Sequence, residues 1–401
     1  MRDGALAMRS VLPTMTVERI AQFAGLNDEE RALLESFSRF AQVELRPLAE
    51  RFAEGPVLDR KTARELFQRL DTFGLVSGLV PEKRGGAGLR FVVYGLLCEE
   101  LARAWADLAV VTVIQALGAL ALDELAPPEL RASHVEPALH GERMVCMCIS
   151  EPAVGSNVGE IQTRATRDGD AWVIRGQKLW ISNGTLSDCA VVVCRTDDTL
   201  SLILADREHG YQSRDVAKMG LHAAPTSELF FDDVRVPADY LLGGKGDGLR
   251  STLRLFERAR VLVGLSAVGV ARAALEEAVA YAKERRQHGK PIGGHQLIQA
   301  YLAETATEID AGRLLCLRAL HLLEQGVRCD TESAMAKWWS TEMAVRATSK
   351  ALQIHGGVGI TKEHAVERHF RDARILTIPD GTTEIQKLII GRSLTGLSAF
   401  S

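Results

Sequence analysis

The pattern of hydrophobic and polar positions divides the chain into three segments. In the first, from Asn27 to about residue 140, apolar residues recur at helical spacing. Its predicted helices include 60–73, 92–105 and 108–124. Asn27 and Glu30 have the spacing of a capping box, which favours a helix start at this point. The pattern predicts an N-terminal helical domain over residues 27–141, preceded by an N-terminal extension over residues 1–26.

The second segment, over residues 142–245, consists of short apolar runs separated by turn residues. The predicted strands include 171–174, 179–182, 190–194, 200–205 and 229–231. Asp168-Gly169-Asp170, Asn183-Gly184 and Asp197-Asp198 are typical turn sequences between such strands. This segment is therefore predicted to be a compact middle β domain.

Helical spacing returns from about Leu249 and continues through the third segment, residues 246–401. An apolar stripe runs along its first helix, with Arg272, Glu276 and Lys283 on the opposite, polar face. Two more long helices are predicted over 295–325 and 331–355. The pattern favours an antiparallel helical bundle, so that the whole chain is predicted to be helical, then β, then helical.

Composition and charge narrow the class of protein. The chain has 401 residues, of which 46% are hydrophobic and 25% are charged, as is typical of a globular protein. Its 48 basic and 52 acidic residues give a net charge of −4, which does not favour a nucleic-acid partner. The 108–122 apolar run is bounded by Asp107 and Asp123, so we expect no membrane span. No sustained apolar core precedes Pro13, so we expect no signal peptide and a cytoplasmic protein.

The cysteines and histidines do not indicate a metal site. The seven cysteines include no Cys-x-x-Cys pair and several lie within apolar runs, which favours buried, reduced thiols. His364 and His369 are five residues apart and do not share a helical face, so we interpret them as solvated surface residues. No metal is predicted.

Common nucleotide-binding and hydrolase motifs are not found. The chain has no Gly-x-Gly-x-x-Gly after a strand and no phosphate loop ending in Gly-Lys-Ser/Thr. Gly264 and Gly269 miss the spacing of a nucleophile elbow by one residue, and Ser266 between them is predicted to pack within a helix. These observations speak against a Rossmann domain, a P-loop NTPase and an α/β-hydrolase.

Two motifs in the β segment suit a planar heteroaromatic cofactor. A loop of small residues begins at Ser150, and a strand carrying Trp180 and Ser182 follows it. The cofactor ring would stack on Trp180, and Ser182 would donate a hydrogen bond to a ring nitrogen. A tryptophan at a strand end is about as often a core residue as a ligand contact, so this motif alone does not establish a cofactor site.

Two further motifs lie in the C-terminal segment. The first spans residues 281–292 and is charged, with Gly289 predicted to end its helix. The second begins with the Gly356-Gly357 pair, which allows close approach to a ligand, and ends with Asp380-Gly381-Thr382-Thr383. This last run also has the sequence of a turn and an N-cap before a final helix.

The order and spacing of these four motifs, over residues 27–396, resemble the acyl-CoA dehydrogenase family. The resemblance implies an α+β fold with an N-terminal helical domain, a middle β-barrel-like domain and a C-terminal four-helix bundle. It also implies FAD as cofactor and a homotetramer. In this family a carboxylate removes the α-proton of an acyl thioester while flavin N5 takes the β-hydride. An acyl-CoA or acyl-carrier-protein substrate follows, with electron-transfer flavoprotein or oxygen as the electron acceptor.

The resemblance also implies roles for individual residues. Asp380 occupies the position of the catalytic base. The implied cofactor-binding residues are Ser150, Trp180, Ser182, Arg285, His288, Gln296, Gln353, Gly357, Thr382 and Glu384. Those from Arg285 to Gly357 would bind the FAD adenosine and pyrophosphate across a subunit interface. The implied substrate-binding residues are Ser156, Glu257, Arg260 and Gly381.

The sequence departs from the family pattern at the base. The usual residue is Glu, here replaced by Asp380, and the alternative base position of some members is occupied by Ala259. Asp is one methylene shorter, and a misplacement of about 1 Å can cost roughly 100-fold in rate. His288 and Asn157 stand where Phe and Asp are usual. Two alternatives therefore remain: an oxidase of a non-thioester carbon acid, like the nitroalkane oxidases of the same superfamily, and a non-catalytic family member.

Overall fold

The computed structural model describes residues 15–399, in which seven α-helices precede a mixed β-sheet and five follow it. The residues before Pro13, on which the expectation of no signal peptide depends, lie outside the described part of the chain. The N-terminal helices are α1 (Val17–Phe23), α2 (Asp28–Phe40), α3 (Arg46–Phe52), α4 (Arg60–Asp71), α5 (Phe91–Ala104), α6 (Ala106–Leu125) and α7 (Glu136–Leu139).

Local sequence explains where these helices begin. The Asn27 side chain accepts from the Glu30 amide at 2.9 Å, and the Glu30 carboxylate accepts from the Asn27 amide at 2.9 Å. The predicted capping box at the start of α2 is thus confirmed. Residues 17–23, which the pattern placed in the N-terminal extension, form α1, and its Ile20 and Ala21 are buried in the same core as Leu34 of α2.

Helix α6 is the most apolar of the N-terminal helices. It is longer than the 108–122 run suggested, and by length and composition alone it could span a membrane. However, 72% of its most apolar stretch of 18 residues is buried within the protein, where α6 packs against α5 and the sheet. A mostly buried helix of this kind is what the core of a globular domain requires.

The middle segment forms one eight-stranded sheet. Its strands are β1 (Val145–Cys148), β2 (Arg164–Asp168), β3 (Ala171–Ser182), β4 (Cys189–Thr196), β5 (Thr199–Asp206), β6 (Gln212–Asp215), β7 (Thr226–Pro237) and β8 (Leu241–Leu242). They are ordered β6-β7-β3-β2-β4-β5-β8, and β1 pairs in parallel with β4. The two strands predicted at 171–174 and 179–182 are parts of the single strand β3. They resembled two strands because register shifts after Ile174 and Lys178 interrupt the alternation of apolar and polar residues.

The C-terminal segment is a helical bundle with a small hairpin at one end. Its elements are α8 (Gly248–Glu284), β9 (Arg286–Gln287), β10 (Lys290–Pro291), α9 (Gln296–Glu324), α10 (Asp330–His355), α11 (Val366–Leu376) and α12 (Thr383–Thr395). Helix α10 packs against the four other helices of the bundle. The prediction that Gly289 ends α8 is wrong: α8 ends at Glu284, and His288 and Gly289, with φ of 49° and 78°, form the tight turn of the β9–β10 hairpin.

The core contains the expected thiols and an unexpected cluster of charges. All seven cysteines are buried and free, and the Ser266 hydroxyl donates to Leu262 O within α8, so both predictions are confirmed. Arg272, predicted on the polar face of α8, is buried instead. It lies 2.6 Å from a Glu99 oxygen and 2.5 Å from a Glu100 oxygen, both on α5. Arg313 of α9 also binds Glu99, at 2.9 Å, so this cluster joins three helices.

Candidate active site

Asp380 lies in the turn that joins α11 to α12. Its backbone φ is 55° and that of Gly381 is 91°, so both residues adopt left-handed conformations. A non-glycine residue in this region costs roughly 1–3 kcal/mol and persists only where its surroundings hold it. The buried Gln386 amide donates to the carbonyls of Asp380, at 3.2 Å, and of Gly381, at 2.8 Å. This turn is therefore held from α12.

The residues after Asp380 start α12 as the sequence predicts. Thr382 is the N-cap, and its hydroxyl accepts from the Ile385 amide at 3.5 Å. Glu384, in the first turn of α12, is exposed. The hydroxyl of Thr383, the residue before Glu384, donates to the Glu342 carboxylate of α10 at 2.6 Å and connects the start of α12 to the bundle.

Two buried cations face the Asp380 turn from other helices. Lys337 of α10 is fully buried, and its ammonium donates to Gly381 O at 2.7 Å and to Thr377 O at 3.2 Å. Arg260 of α8 is only 5% exposed. Burial raises the pKa of Asp380, and the charges of Lys337 and Arg260 oppose that rise. Burial lowers the pKa of Lys337 to about 8, although Asp380 acts in the opposite direction.

Sequence reasoning did not single out Lys337. The residues around it on α10 that are buried with it are Ser333, Ala334, Ala336, Ser340 and Thr341. A lysine within such a run of small buried positions is a signal that could have indicated a buried ammonium.

Glu257 and Arg260 lie one turn apart on α8 and are both buried. The Glu257 carboxylate accepts from the Cys329 amide at 2.5 Å and pairs with Arg328 at 3.3 Å, so much of its hydrogen-bonding capacity is already used. Arg260 Nη1 lies 3.8 Å from Asp330. Its Nε is buried with no hydrogen-bond partner among residues 15–399, so it remains a free donor beside the Asp380 turn.

Trp180 does not lie in the core. It is 59% exposed, with a φ of 65°, at the bulge of β3 between Lys178 and Ile181. The Leu179 amide donates to Ser150 O at 2.9 Å, which brings the loop at Ser150 beside Trp180. A strained, exposed tryptophan has no packing explanation and is free to stack on a ligand. Ser182 ends the same strand, and Ser156 is exposed on the loop after Ser150.

A buried ion pair that the sequence did not reveal fixes this loop. Lys178 Nζ donates to Ile149 O and to the Glu151 carboxylate, both at 2.9 Å, and Lys178 is fully buried. Glu151 also accepts from the amides of Gln162 and Thr163 at 2.7 and 2.9 Å. Loop and strand are thus cross-linked immediately beside Ser150 and Trp180.

The other predicted cofactor residues lie at the far end of the bundle. Arg285, His288, Gln296, Gln353 and Gly357 are all exposed there. A Cβ on Gly357 would meet nothing within 4 Å, so space for a ligand lies beside it.

The histidines at this end are not solvated surface residues, so that prediction is wrong. His364 lies in ring contact with Tyr281 and with the buried His355, at centroid distances of 5.7 and 5.2 Å. His369 is largely shielded from solvent, and burial lowers its pKa to about 3. His355 stacks on Tyr281 at 4.4 Å, and its buried Nε2 has no partner in the described part of the chain.

The structure thus places the predicted cofactor residues in three regions rather than one. Ser150, Trp180 and Ser182 lie at the exposed bulge of β3, Thr382 and Glu384 lie in the Asp380 turn, and the Arg285 group lies exposed at the far end of the bundle, near the unsatisfied buried Nε2 of His355. The first and last of these regions fit parts of FAD: a flavin ring at the bulge of β3 and a nucleotide at the end of the bundle.

Comparisons with known proteins identify the family of this chain. The N-terminal, middle and C-terminal domains of the acyl-CoA dehydrogenases match residues 27–142, 146–234 and 246–395. The fold and these matches together define a three-domain, FAD-dependent oxidoreductase that acts on CH–CH bonds. The chain belongs to the acyl-CoA dehydrogenase family.

Individual relatives cover nearly the whole chain. Benzylmalonyl-CoA dehydrogenase of Aromatoleum aromaticum is 36% identical over 376 residues, or 92% of this chain and 99% of that protein. Cyclohex-1-ene-1-carbonyl-CoA dehydrogenase of Syntrophus aciditrophicus is 35% identical over 386 residues, or 92% and 90%. A glutaryl-CoA dehydrogenase of Mycobacterium smegmatis, solved in complex with FADH2, has a TM-score of 0.89 at 28% identity, covering 98% and 99%. The predicted family, fold class and cofactor are confirmed.

Proposed function

We propose that this chain catalyses the α,β-dehydrogenation of an acyl-CoA thioester and that Asp380 is the base that removes the α-proton. Family membership supports dehydrogenation of acyl thioesters in general. The observation that carries the specific assignment is the Asp380 turn, in which a carboxyl group in a strained conformation is flanked by the buried cations Lys337 and Arg260. Ala259, at the alternative base position, offers no carboxylate.

The surroundings of Asp380 suit proton abstraction from carbon. An α-proton is only weakly acidic, so the base must be strong and shielded from water. Burial, which raises the pKa of Asp380, strengthens it as a base, while Lys337 and Arg260 favour its ionised form. The free Arg260 Nε is a donor that can stabilise negative charge developing on the substrate.

FAD, when bound, supplies the acceptor for the β-hydride. Ser150, Trp180 and Ser182 would hold its flavin ring, and Thr382 and Glu384 lie beside Asp380 to complete that part of the site. The Arg285 group would hold the nucleotide.

The proposed reaction requires the flavin ring to lie next to Asp380 and Arg260, and the Arg285 group of the same chain is too far from that position to bind the nucleotide of the same FAD. Arg285 follows Arg260 by 25 residues, essentially all within α8, a distance of about 37 Å along the helix. The bonds between the flavin ring and adenine of FAD extend about as far as five extended residues, roughly 17 Å. We therefore propose that the nucleotide is held by the Arg285 group of a second copy, in a homo-oligomer for which a tetramer is the family expectation.

A groove at the start of α8 favours CoA as the carrier of the acyl group. Arg250, Arg254 and Arg328 line it together with Leu249 and Leu253, around a volume of about 370 Å³. Arg254 has no ion-pair or hydrogen-bond partner within residues 15–399, and both leucines are exposed. This amphipathic groove suits the phosphates and base of a nucleotide, whereas a carrier protein needs roughly 800 Å² of surface.

The groove lies at a suitable distance from the reacting position. Arg250 precedes Arg260 by ten residues of α8, or about 15 Å. A pantetheine arm is about as long as four extended residues, roughly 14 Å. Arg328 lines the groove and pairs with Glu257, one turn from Arg260 on α8.

We expect Arg254→Ala to lower kcat/KM for an acyl-CoA about tenfold, because one charge-assisted hydrogen bond to phosphate is lost. The same variant should leave kcat/KM unchanged for the matching acyl-pantetheine, which has no phosphate. Initial rates with both substrates measure this, with Arg39→Ala, an exposed arginine of α2, as the charge-matched control. An equal loss with both thioesters would contradict a phosphate contact.

Anaerobic titration of the holoenzyme against a panel of acyl-CoA and acyl-carrier-protein thioesters tests the proposed function. We expect the flavin absorbance to bleach with at least one acyl-CoA, and reoxidation by electron-transfer flavoprotein or by oxygen then identifies the acceptor. Bleaching by a nitroalkane but by no thioester would instead establish the oxidase alternative. A protein that binds FAD and reacts with neither would be a non-catalytic family member.

A further inference from the structure

The buried ammonium of Lys337 is not explained by the packing of α10. Its ammonium is fully buried, and the hydrogen bonds that hold it go to two backbone carbonyls of the segment 377–381. Burying an ammonium without a directly bonded carboxylate is costly, as the fall of its pKa to about 8 reflects. Buried charges that are destabilising in this way are found preferentially at functional sites.

The two carbonyls that Lys337 binds lie on either side of Asp380. Thr377 O is three residues before it and Gly381 O is the next carbonyl after it. Lys337 thus fixes both ends of the strained turn from α10, while Gln386 fixes it from α12. With the turn held from two helices, the Asp380 carboxyl group has little freedom to move away from the substrate.

The charged groups around this position come from three helices. The negative charges of Asp380, of Glu342 on α10 and of Glu384 on α12 raise the pKa of Lys337, and the positive charge of Arg260 on α8 lowers it. The charges of Lys337 and Arg260 in turn lower the pKa of Asp380. Lys337 therefore contributes one of the two positive charges that favour the ionised form of the carboxyl group.

We propose that Lys337 is a positioning residue for the reaction: it holds the Thr377–Gly381 turn in its left-handed form and supplies a charge that keeps the Asp380 carboxylate ionised. This proposal rests on the proposed function, because it takes Asp380 to be the base. Lys337 itself does not touch the substrate.

The test compares wild type, Lys337→Met, Lys337→Arg and Lys350→Met as holoenzymes. Lys350 is the matched control, since it lies on the same helix and pairs with Glu304 on α9 at 2.9 Å, away from the turn. The first measurement is the anaerobic rate of flavin reduction by a saturating acyl-CoA as a function of pH. The second is hydrogen exchange of the backbone amides over residues 377–383.

We expect Lys337→Met to slow flavin reduction about 100-fold, because the carboxylate is displaced. Its acid limb should move to higher pH by about one unit or more, because a nearby positive charge no longer favours the carboxylate. Lys337→Arg should restore the acid limb because it restores the charge. Amides of the turn should exchange at least tenfold faster in Lys337→Met than in wild type or Lys350→Met.

The two measurements separate failure of this inference from failure of the proposed function. If Asp380 is not the base, Asp380→Asn retains the wild-type rate, and exchange of the turn still reports whether Lys337 holds it. A Lys337→Met enzyme with the acid limb and exchange rates of wild type would overturn the inference, even if its rate were lower. So would a shift that Lys337→Arg fails to reverse.

Discussion

Asp380→Asn should lower the rate of flavin reduction by acyl-CoA about 10²–10⁴-fold, while FAD stays bound. A positioned general base contributes a factor of this size, and the isosteric amide has no comparable basicity. The left-handed turn can be retained, because asparagine also tolerates positive φ and the Gln386 and Lys337 contacts are to backbone carbonyls. Stopped-flow absorbance at the flavin bands measures the rate, and the flavin-to-protein absorbance ratio measures the bound cofactor.

Asp380→Glu is the informative companion variant, because it keeps the charge and moves the carboxylate by about one methylene. We expect it to be roughly 100-fold slower than wild type, since the site is built around the shorter side chain. In wild type the acid limb should lie above the ordinary aspartate pKa of about 3.9, because burial raises the pKa of Asp380. A wild-type rate in Asp380→Asn would remove Asp380 from the mechanism.

Arg272→Met should lower the free energy of unfolding by about 3–5 kcal/mol, because it leaves two buried carboxylates without their shared partner. Glu99 and Glu100 are 1% and 2% exposed. Burial raises the pKa of Glu100, but Arg272 and Arg103 outweigh it and hold that pKa at about 2. Urea denaturation at pH 7, followed by circular dichroism at equal protein concentration, measures the loss.

The matched control is Arg318→Met on α9, whose ion pair with Glu332 at 3.0 Å is exposed and should be worth less than about 1 kcal/mol. The destabilisation by Arg272→Met also has a pH dependence. A carboxylate with a lowered pKa contributes stability above the unfolded-state value of about 4.3, and this contribution is lost as pH falls towards about 2. The difference from wild type should therefore shrink below about pH 4. A loss no larger than that of the control would contradict the role of the cluster.

The local parts of this protein could be predicted from its sequence. The capping box at Asn27, the N-cap at Thr382 and the packing of Ser266 each depend on residues within four positions of one another. The long helices of the bundle follow in the same way from apolar spacing. Where local conformation departs from a regular pattern, the prediction failed: the bulge at Trp180 made one strand resemble two, and the hairpin at Gly289 resembled a helix end.

The sequence by itself therefore determined the helical, β and helical order, the family and the presence of Asp380 in place of the usual base. Only the tertiary structure decided that Trp180 is exposed, that Arg272 and Lys337 are buried, and that the residues proposed to bind FAD lie in separate regions of one chain. The physical reason is the separation of the partners along the chain. Arg272 meets Glu99 across 173 residues and Lys337 meets Gly381 across 44, and no local pattern specifies contacts of that range.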